Sequence, residues 1–308
     1  MSRIMKQEQA KKRKLLWSLM GDLPDFDMPL RCEVIRREKI AGGTLETLQF
    51  SYPDEPPFLA YFALPAGYDE TQKIPAILYN HSHGGMYYLG KDELLQGAPY
   101  QCGPWLPDLL KEGYAVLAAD HRAFGSRSDR TEGDIFKEML WRGQVMWGMM
   151  VYDSCRMLDH LCSRKEVDST RIGTLGMSMG STMAWYTAAL DERIKVCADI
   201  CCLTDFEELI KSNHLKGHGL YYFVPSLLKY FDTASINALI APRARISVNG
   251  QFDGLTPEAG LDKVDAVLKK VYADWGCPEK YLMKKYPVPH QELPEMRQAV
   301  LDFLRKYL

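Results

Sequence analysis

Five short and largely apolar runs, at residues 74–79, 114–119, 172–175, 196–200 and 246–248, are separated by stretches long enough for a helix. This alternation constrains the chain more than any other feature. A strand that is apolar at every position must be buried on both faces, which a parallel sheet with helices on each side provides. Residues 32–40, 44–52 and 58–64 read as strands of another kind, parted by Gly42-Gly43 and the Pro-rich stretch 53–57. They suit an antiparallel meander at one sheet edge. The expectation is one α/β domain over residues 1–308, with a mostly parallel central sheet of about eight strands and helices on both faces.

Apolar residues at helical spacing predict a helix over 138–162, a short apolar helix over 181–190 and a closing helix over 293–308. Residues 4–20 read as an amphipathic helix ended at Gly21, so that 1–30 form a helical extension docked on the domain. Its basic run Lys11-Lys12-Arg13-Lys14 leaves a membrane-surface role as the alternative to plain packing. Residues 203–240, with Asn213-His214, Gly217-His218-Gly219 and Tyr221-Tyr222-Phe223, form a long irregular connection. At the loop end of such a sheet, a connection of that length reads as a lid or binding insertion.

Composition narrows the function classes. Hydrophobic residues at 46% and charged residues at 25% can build an ordinary globular core. A formal net charge of -2 offers no broad basic surface for a phosphate backbone, so nucleic acid is not an expected partner. The N-terminus lacks the apolar core and cleavage site of a secretory signal, and no other apolar stretch is long enough to span a bilayer. The eight cysteines (Cys32, Cys102, Cys155, Cys162, Cys197, Cys201, Cys202 and Cys277) show no paired C-x-x-C spacing. They read as buried free thiols in a cytoplasmic protein without membrane contact, and the oligomeric state is left open, a homo-oligomer included.

Gly176-Met177-Ser178-Met179-Gly180 reads G-x-S-x-G, between the strand 171–175 and the helix that follows. Composition alone produces such a pentapeptide in roughly one chain in ten of this length, so the strand before and the helix after carry the signal. A tight turn between them projects a serine hydroxyl at the strand's C-terminal end. That hydroxyl needs a base on another loop of the same edge. His290, in Pro287-Val288-Pro289-His290-Gln291-Glu292 after the strand-like 281–286, stands in the right order. Asp253, after the strand at 246–248 and Gly250, is the preferred acid to orient it. Asp205 is the alternative acid, and its structural reading is the N-cap of a helix at 206–210. Oxyanion donors are expected from the loop Asn80-His81-Ser82-His83-Gly84-Gly85 and from the Met179 N–H. No cofactor and no metal are needed for a small-molecule ester substrate. How residues 86–105 and 213–230 fold over the serine decides which ester fits.

Three runs carry a resemblance: Val167-Asp168 with Arg171-Ile172-Gly173 before the elbow, Asp191-Glu192-Arg193-Ile194 after it, and Ala241-Pro242-Arg243 before the acid. From about residue 74 to the end the chain resembles the dienelactone-hydrolase-like and acetyl xylan esterase-like α/β hydrolases. The resemblance implies the α/β-hydrolase fold and ester hydrolysis. It puts nucleophile, acid and base on Ser178, Asp253 and His290, and the first oxyanion donor on His83. Two departures stand out: Ser82 where the family often has glycine, and Ser178 where dienelactone hydrolases proper use cysteine. The second favours ordinary ester hydrolysis over dienelactone chemistry.

Two rival classes remain in the sequence. His81-Ser82-His83 after a strand matches the H-x-H opening of metal-dependent hydrolases, which needs further ligands. His121, His160, His214 and His218 are scattered and form no such pattern. The other rival is a catalytically silent binding protein that kept the fold.

Overall fold

The computed structural model describes residues 2–308. In chain order its regular elements begin with α1 (Ser2–Ser18), β1 (Arg31–Ile40), β2 (Gly43–Ser51), β3 (Phe58–Pro65), β4 (Ile74–Asn80), α2 (Glu93–Gln96), α3 (Leu106–Lys111) and β5 (Ala115–Ala119). They continue with α4 (Glu132–Trp141), α5 (Met146–Ser163), β6 (Val167–Met177), α6 (Met179–Leu190), β7 (Ile194–Ile200), α7 (Phe206–Lys211), α8 (Thr233–Asn237), β8 (Ala244–Gly250), α9 (Glu258–Asp274), β9 (Tyr281–Tyr286) and α10 (Pro294–Tyr307).

All nine strands join one sheet in the order β1-β2-β3-β5-β4-β6-β7-β8-β9. The first three pair antiparallel and β3 meets β5 antiparallel, while β5, β4, β6, β7, β8 and β9 run parallel. Most of the parallel strands feed both layers, whereas β8 gives Ala244, Ile246 and Val248 to one and turns the buried Arg245, Ser247 and Asn249 to the other face. In β4, Ala76 and Leu78 face the core under α5 and α6, whereas Ile77 and Tyr79 face the one under α3 and α10. Burial on both faces is why those strands are apolar without alternation.

The helix expected over 138–162 is two helices. Its first turn belongs to α4, which stops before Gly143 in the left-handed conformation (φ 75°), and α5 starts afresh at Met146. The break is held from outside: Asp22 N–H donates to Gly143 O (3.0 Å) and Gly21 bridges Gln144. Helical spacing does not register a break filled by another segment.

Helix α1 packs on the domain through Leu16, and Met20, just beyond its end, is buried too. Polar side chains fix it too. Gln9 Nε2 donates to Ala241 O (2.7 Å), and Arg13 donates from Nε to Ala189 O (3.0 Å) and from Nη2 to Leu239 O (2.8 Å). The run Lys11-Lys12-Arg13-Lys14 is therefore not one basic face, because Arg13 is buried. No helix among the described residues is long and apolar enough to cross a membrane. Five cysteines (Cys155, Cys197, Cys201, Cys202 and Cys277) are buried, Cys32 and Cys162 half-buried, and Cys102 is exposed.

The connection from β7 to β8 holds α7, α8 and three single turns of 3₁₀ helix at Leu215–Gly217, Leu220–Tyr222 and Leu227–Lys229. Tyr221 and Tyr222 are buried in it. The runs that carried the resemblance have structural work nearby. Arg243 donates to the carbonyls of Asp191 (2.8 Å), Ile194 (2.8 Å), Ala188 (2.5 Å) and Leu239 (3.2 Å), pinning the end of α6 to the start of β8.

Candidate active site

Between β6 and α6 the chain turns within one residue. Ser178 takes φ 59° and ψ -118°, a region that costs a non-glycine residue about 1–3 kcal/mol and persists only when its surroundings enforce it. The surroundings here are close. A Cβ on Gly180 would lie 2.0 Å from Asn80 O, so α6 can start against the end of β4 only with glycine at that position. Ser178 N–H donates to Ile200 O (2.9 Å), and Ser178 O accepts Thr182 N–H (3.1 Å). Met179 opens α6, where first-turn N–H groups have no partner inside the helix.

The structure brings Ser178, His290 and Asp253 together from three different loops. His290 Nε2 lies 3.0 Å from Ser178 Oγ, and its Nδ1 lies 2.7 Å from Asp253 Oδ2. The Asp253 side chain is fully buried, and its Oδ1 accepts Leu255 N–H at 2.8 Å. With carboxylate on one side, the imidazole proton sits on Nδ1, which leaves Nε2 to accept from the serine. Asp205 does something else: its Oδ1 accepts Glu208 N–H (3.1 Å) as the N-cap of α7 and pairs with Lys263 Nζ (3.0 Å).

Residues 81–85 follow β4 beside the elbow. His81 is buried with both ring nitrogens engaged. Its Nε2 accepts His121 N–H (3.1 Å), so Nδ1 carries the proton and donates to Ser82 O (2.9 Å). Burial pushes the His81 imidazole down to about 4. A neutral ring committed at both nitrogens offers no lone pair to a metal, which removes the first histidine of the H-x-H reading. His83 is also held: Gly85 N–H donates to Nδ1 (3.0 Å), and Nε2 faces Glu132 Oε2 at 3.5 Å. Rings of Tyr87 (4.9 Å), Phe124 (5.2 Å) and Tyr221 (5.5 Å) surround it. Among the described residues no protein acceptor takes the His83 backbone N–H.

A serine on a strand-to-helix elbow at the end of a central parallel strand, with a histidine and an aspartate brought to it from after β9 and β8, is an arrangement that comparison with known proteins can place. The sequence profile described as alpha/beta hydrolase fold matches residues 75–270. The chain belongs to the α/β-hydrolase family. It is 46% identical over 301 residues to a Bacillus subtilis (strain 168) protein named "Putative hydrolase YtaP", covering 97% of this chain and 100% of the relative. Solved structures share the fold at lower identity. A Bacteroides fragilis NCTC 9343 structure described as a putative acetyl xylan esterase superposes with a TM-score of 0.71 at 21% identity, covering 90% of this chain and 74% of that one. A glucuronoyl esterase from Solibacter usitatus gives 0.71 at 15% identity, with 95% and 91% covered. An acetyl xylan esterase from Paenibacillus sp. R4 gives 0.60 at 17% identity, with 99% and 94% covered.

The protein is thus an α/β hydrolase whose fold is close to carbohydrate esterases, and several residues of this hydrolase's site are not legible as motifs. Glu132, the first residue of α4, accepts Tyr87 O–H (2.6 Å) and Tyr221 N–H (2.8 Å) as well as facing His83. Burial opposes its ionisation, but the hydrogen bonds from His83, Tyr87 and Tyr221 outweigh it and hold the carboxyl below its ordinary range. Glu93 lies fully buried behind Ser82, and Tyr100 packs near His290 with ring centroids 6.2 Å apart. His218 stacks on Tyr222 (4.5 Å) and contacts Leu255 O through Nε2 (3.1 Å), and burial pushes it down to about 4. The only sequence signal for Glu132 is its place just after the helix cap Thr131, where an acidic residue is ordinary.

Proposed function

We propose that this α/β hydrolase is a serine-dependent carboxylic ester hydrolase that acts through an acyl-enzyme on small acyl groups such as acetyl. The observation that carries the proposal is the hydrogen-bonded series Ser178 Oγ, His290, Asp253 at the elbow, with spacings of 3.0 and 2.7 Å. Ser178 Oγ attacks the ester carbonyl while His290 Nε2 takes its proton. Asp253 keeps the other imidazole proton on Nδ1 and stabilises the imidazolium. The carbonyl oxygen, now an oxyanion, is held by the backbone N–H groups of His83 and Met179 and by the N-terminal end of the twelve-residue helix α6. His290 then returns the proton to the departing alkoxide, and the alcohol leaves. Water, deprotonated by the same nitrogen, releases the acid and restores Ser178.

Within the family we infer the dienelactone-hydrolase-like and acetyl xylan esterase-like branch, supported by the runs around Asp168, Asp191 and Arg243 and by fold neighbours named as acetyl xylan and glucuronoyl esterases. The rings of Tyr87, Phe124 and Tyr221 packed about His83 beside the elbow support a small acyl group. Residues 203–240 act as the insertion over the site, and the buried thiols suit a reducing cytoplasm. A panel of p-nitrophenyl esters from acetyl to decanoyl, run beside acetylated xylose, tests the reading. Turnover highest on acetyl and absent from Ser178→Ala is expected; activity that survives Ser178→Ala, or that appears only on long chains, overturns it.

A further inference from the structure

Ser82 is the position where the resembled family often has glycine, and its side chain has a specific environment. Glu93, at the start of α2, is completely buried behind it. The Glu93 carboxylate receives Ser82 N–H on both oxygens (3.1 and 3.1 Å), Tyr79 O–H (2.7 Å) and Gln101 Nε2–H (3.0 Å). It also receives the Ser82 hydroxyl. All of these groups donate to the carboxyl; burial pushes Glu93 up from its ordinary range, and the hydrogen bonds from Ser82, Tyr79 and Gln101 oppose that rise. Because the single hydroxyl proton of Ser82 goes to Glu93, the contact between Ser82 Oγ and the Tyr100 hydroxyl has one direction: Tyr100 donates and Ser82 accepts. The order of protons is Tyr100 to Ser82 to Glu93.

Tyr100 touches both halves of the site. Its phenol lies against Gly84, where an added Cβ would meet the hydroxyl at 2.4 Å, so the ring packs directly on the backbone that follows His83. Its ring is tilted toward His290 at 6.2 Å, and its carbonyl accepts Glu292 N–H (2.8 Å), two residues beyond that histidine. Ser82 on one side of His83 and Gly84 on the other are thereby tied to a single residue, whose backbone carbonyl also braces the His290 loop. Glycine at position 82 would remove the central link.

We propose that Glu93, Ser82 and Tyr100 form a positioning relay that aims the His83 backbone N–H at the oxyanion and keeps that donor in register with His290. The proposal rests on the serine-hydrolase reading above. The relay residues act through His83 and touch no reacting atom, so their removal lowers stabilisation of the tetrahedral state and leaves ester binding alone.

The test uses Tyr100→Phe and Ser82→Ala, which remove one hydroxyl each, and the double variant. Each is assayed for kcat and KM on p-nitrophenyl acetate and for inhibition by a methyl trifluoromethyl ketone. The ketone adds to the serine as a hemiketal, with its carbonyl electron pair moved onto oxygen and the serine proton moved to His290. Each single variant is expected to lose about tenfold in kcat with KM within about twofold, and to bind the ketone about tenfold more weakly. The double variant should lose no more than the worse single, as members of one chain do. Wild-type ketone binding that requires Ser178, combined with unchanged kcat and ketone affinity in a folded Tyr100→Phe, overturns the relay alone. Losses confined to KM, or fully additive losses, overturn it too. Wild-type protein with no Ser178-dependent ketone binding overturns the serine reading, and the relay with it.

Discussion

Replacing Asp253 by Asn changes one atom of the site and should nearly silence it. Asp253 Oδ1 accepts Leu255 N–H at 2.8 Å, and Oδ2 faces His290 Nδ1 at 2.7 Å. An amide at this position keeps its oxygen on the Leu255 N–H, because its NH₂ cannot accept from that donor. The NH₂ then faces His290. Two donors cannot meet, so Nδ1 gives up its proton and the imidazole carries it on Nε2, where it blocks acceptance from Ser178. Inverting the tautomer in Ser–His–Asp sites lowers kcat by about 10⁴, about 5.4 kcal/mol in the barrier. Asp205→Asn is the internal control. Asn caps a helix as well as Asp does, and the Lys263 end of the lost ion pair is 41% exposed, so kcat should stay within about twofold. Stopped-flow and steady-state rates on p-nitrophenyl acetate, with circular dichroism to verify folding, separate the two variants. A folded Asp253→Asn that keeps more than about a tenth of wild-type kcat, or a larger loss in Asp205→Asn, refutes the tautomer argument.

Three further outcomes follow from the same geometry. His83→Ala keeps its backbone N–H, so kcat should remain within about tenfold and be indifferent to chelator; a collapse to the level of Ser178→Ala would give the imidazole a chemical role. Gly180→Ala, with its Cβ 2.0 Å from Asn80 O, should cost about 3 kcal/mol in urea unfolding, and a neutral result would mean that α6 can slide away from β4. Burial lowers the His81 imidazole from its ordinary 6.5 to about 4, so between those values the unfolded chain binds a proton that the folded chain refuses. Stability therefore falls as pH drops through that window, by about 2 kcal/mol from His81 alone at pH 5 and about 3 kcal/mol near pH 4. His218, lowered to about 4 by burial, adds in the same direction, and urea melts of equal stability at pH 7 and pH 5 would contradict the assignment.

What the sequence disclosed follows from which interactions are local. Strands such as β4 and β5 are apolar along nearly their whole length because both faces are covered, and that leaves a visible run. The elbow is visible because its turn admits few residues over five consecutive positions. Placing Asp253 and His290 needed only chain order, and the structure brings both to Ser178. Contacts across the fold left no such trace. Nothing near Gln9 or Arg13 announces carbonyls at 189, 239 and 241, and the division between α4 and α5 depends on Gly21 and Asp22, more than a hundred residues earlier. In the sequence nothing gives the Ser82 side chain a partner. Its partners Glu93 and Tyr100 stand in a segment without periodicity, and only the folded chain shows that they meet.

The claim that supports all the others is that Ser178 becomes acylated during turnover. Rapid acid quench of the enzyme with p-nitrophenyl acetate, followed by peptide mass mapping, measures it directly. One added acetyl group on the peptide that contains Ser178, formed within the first turnover and missing from Ser178→Ala, is the predicted result. An unmodified Ser178 peptide during active turnover, or an acetyl group on another residue that persists in Ser178→Ala, would contradict it.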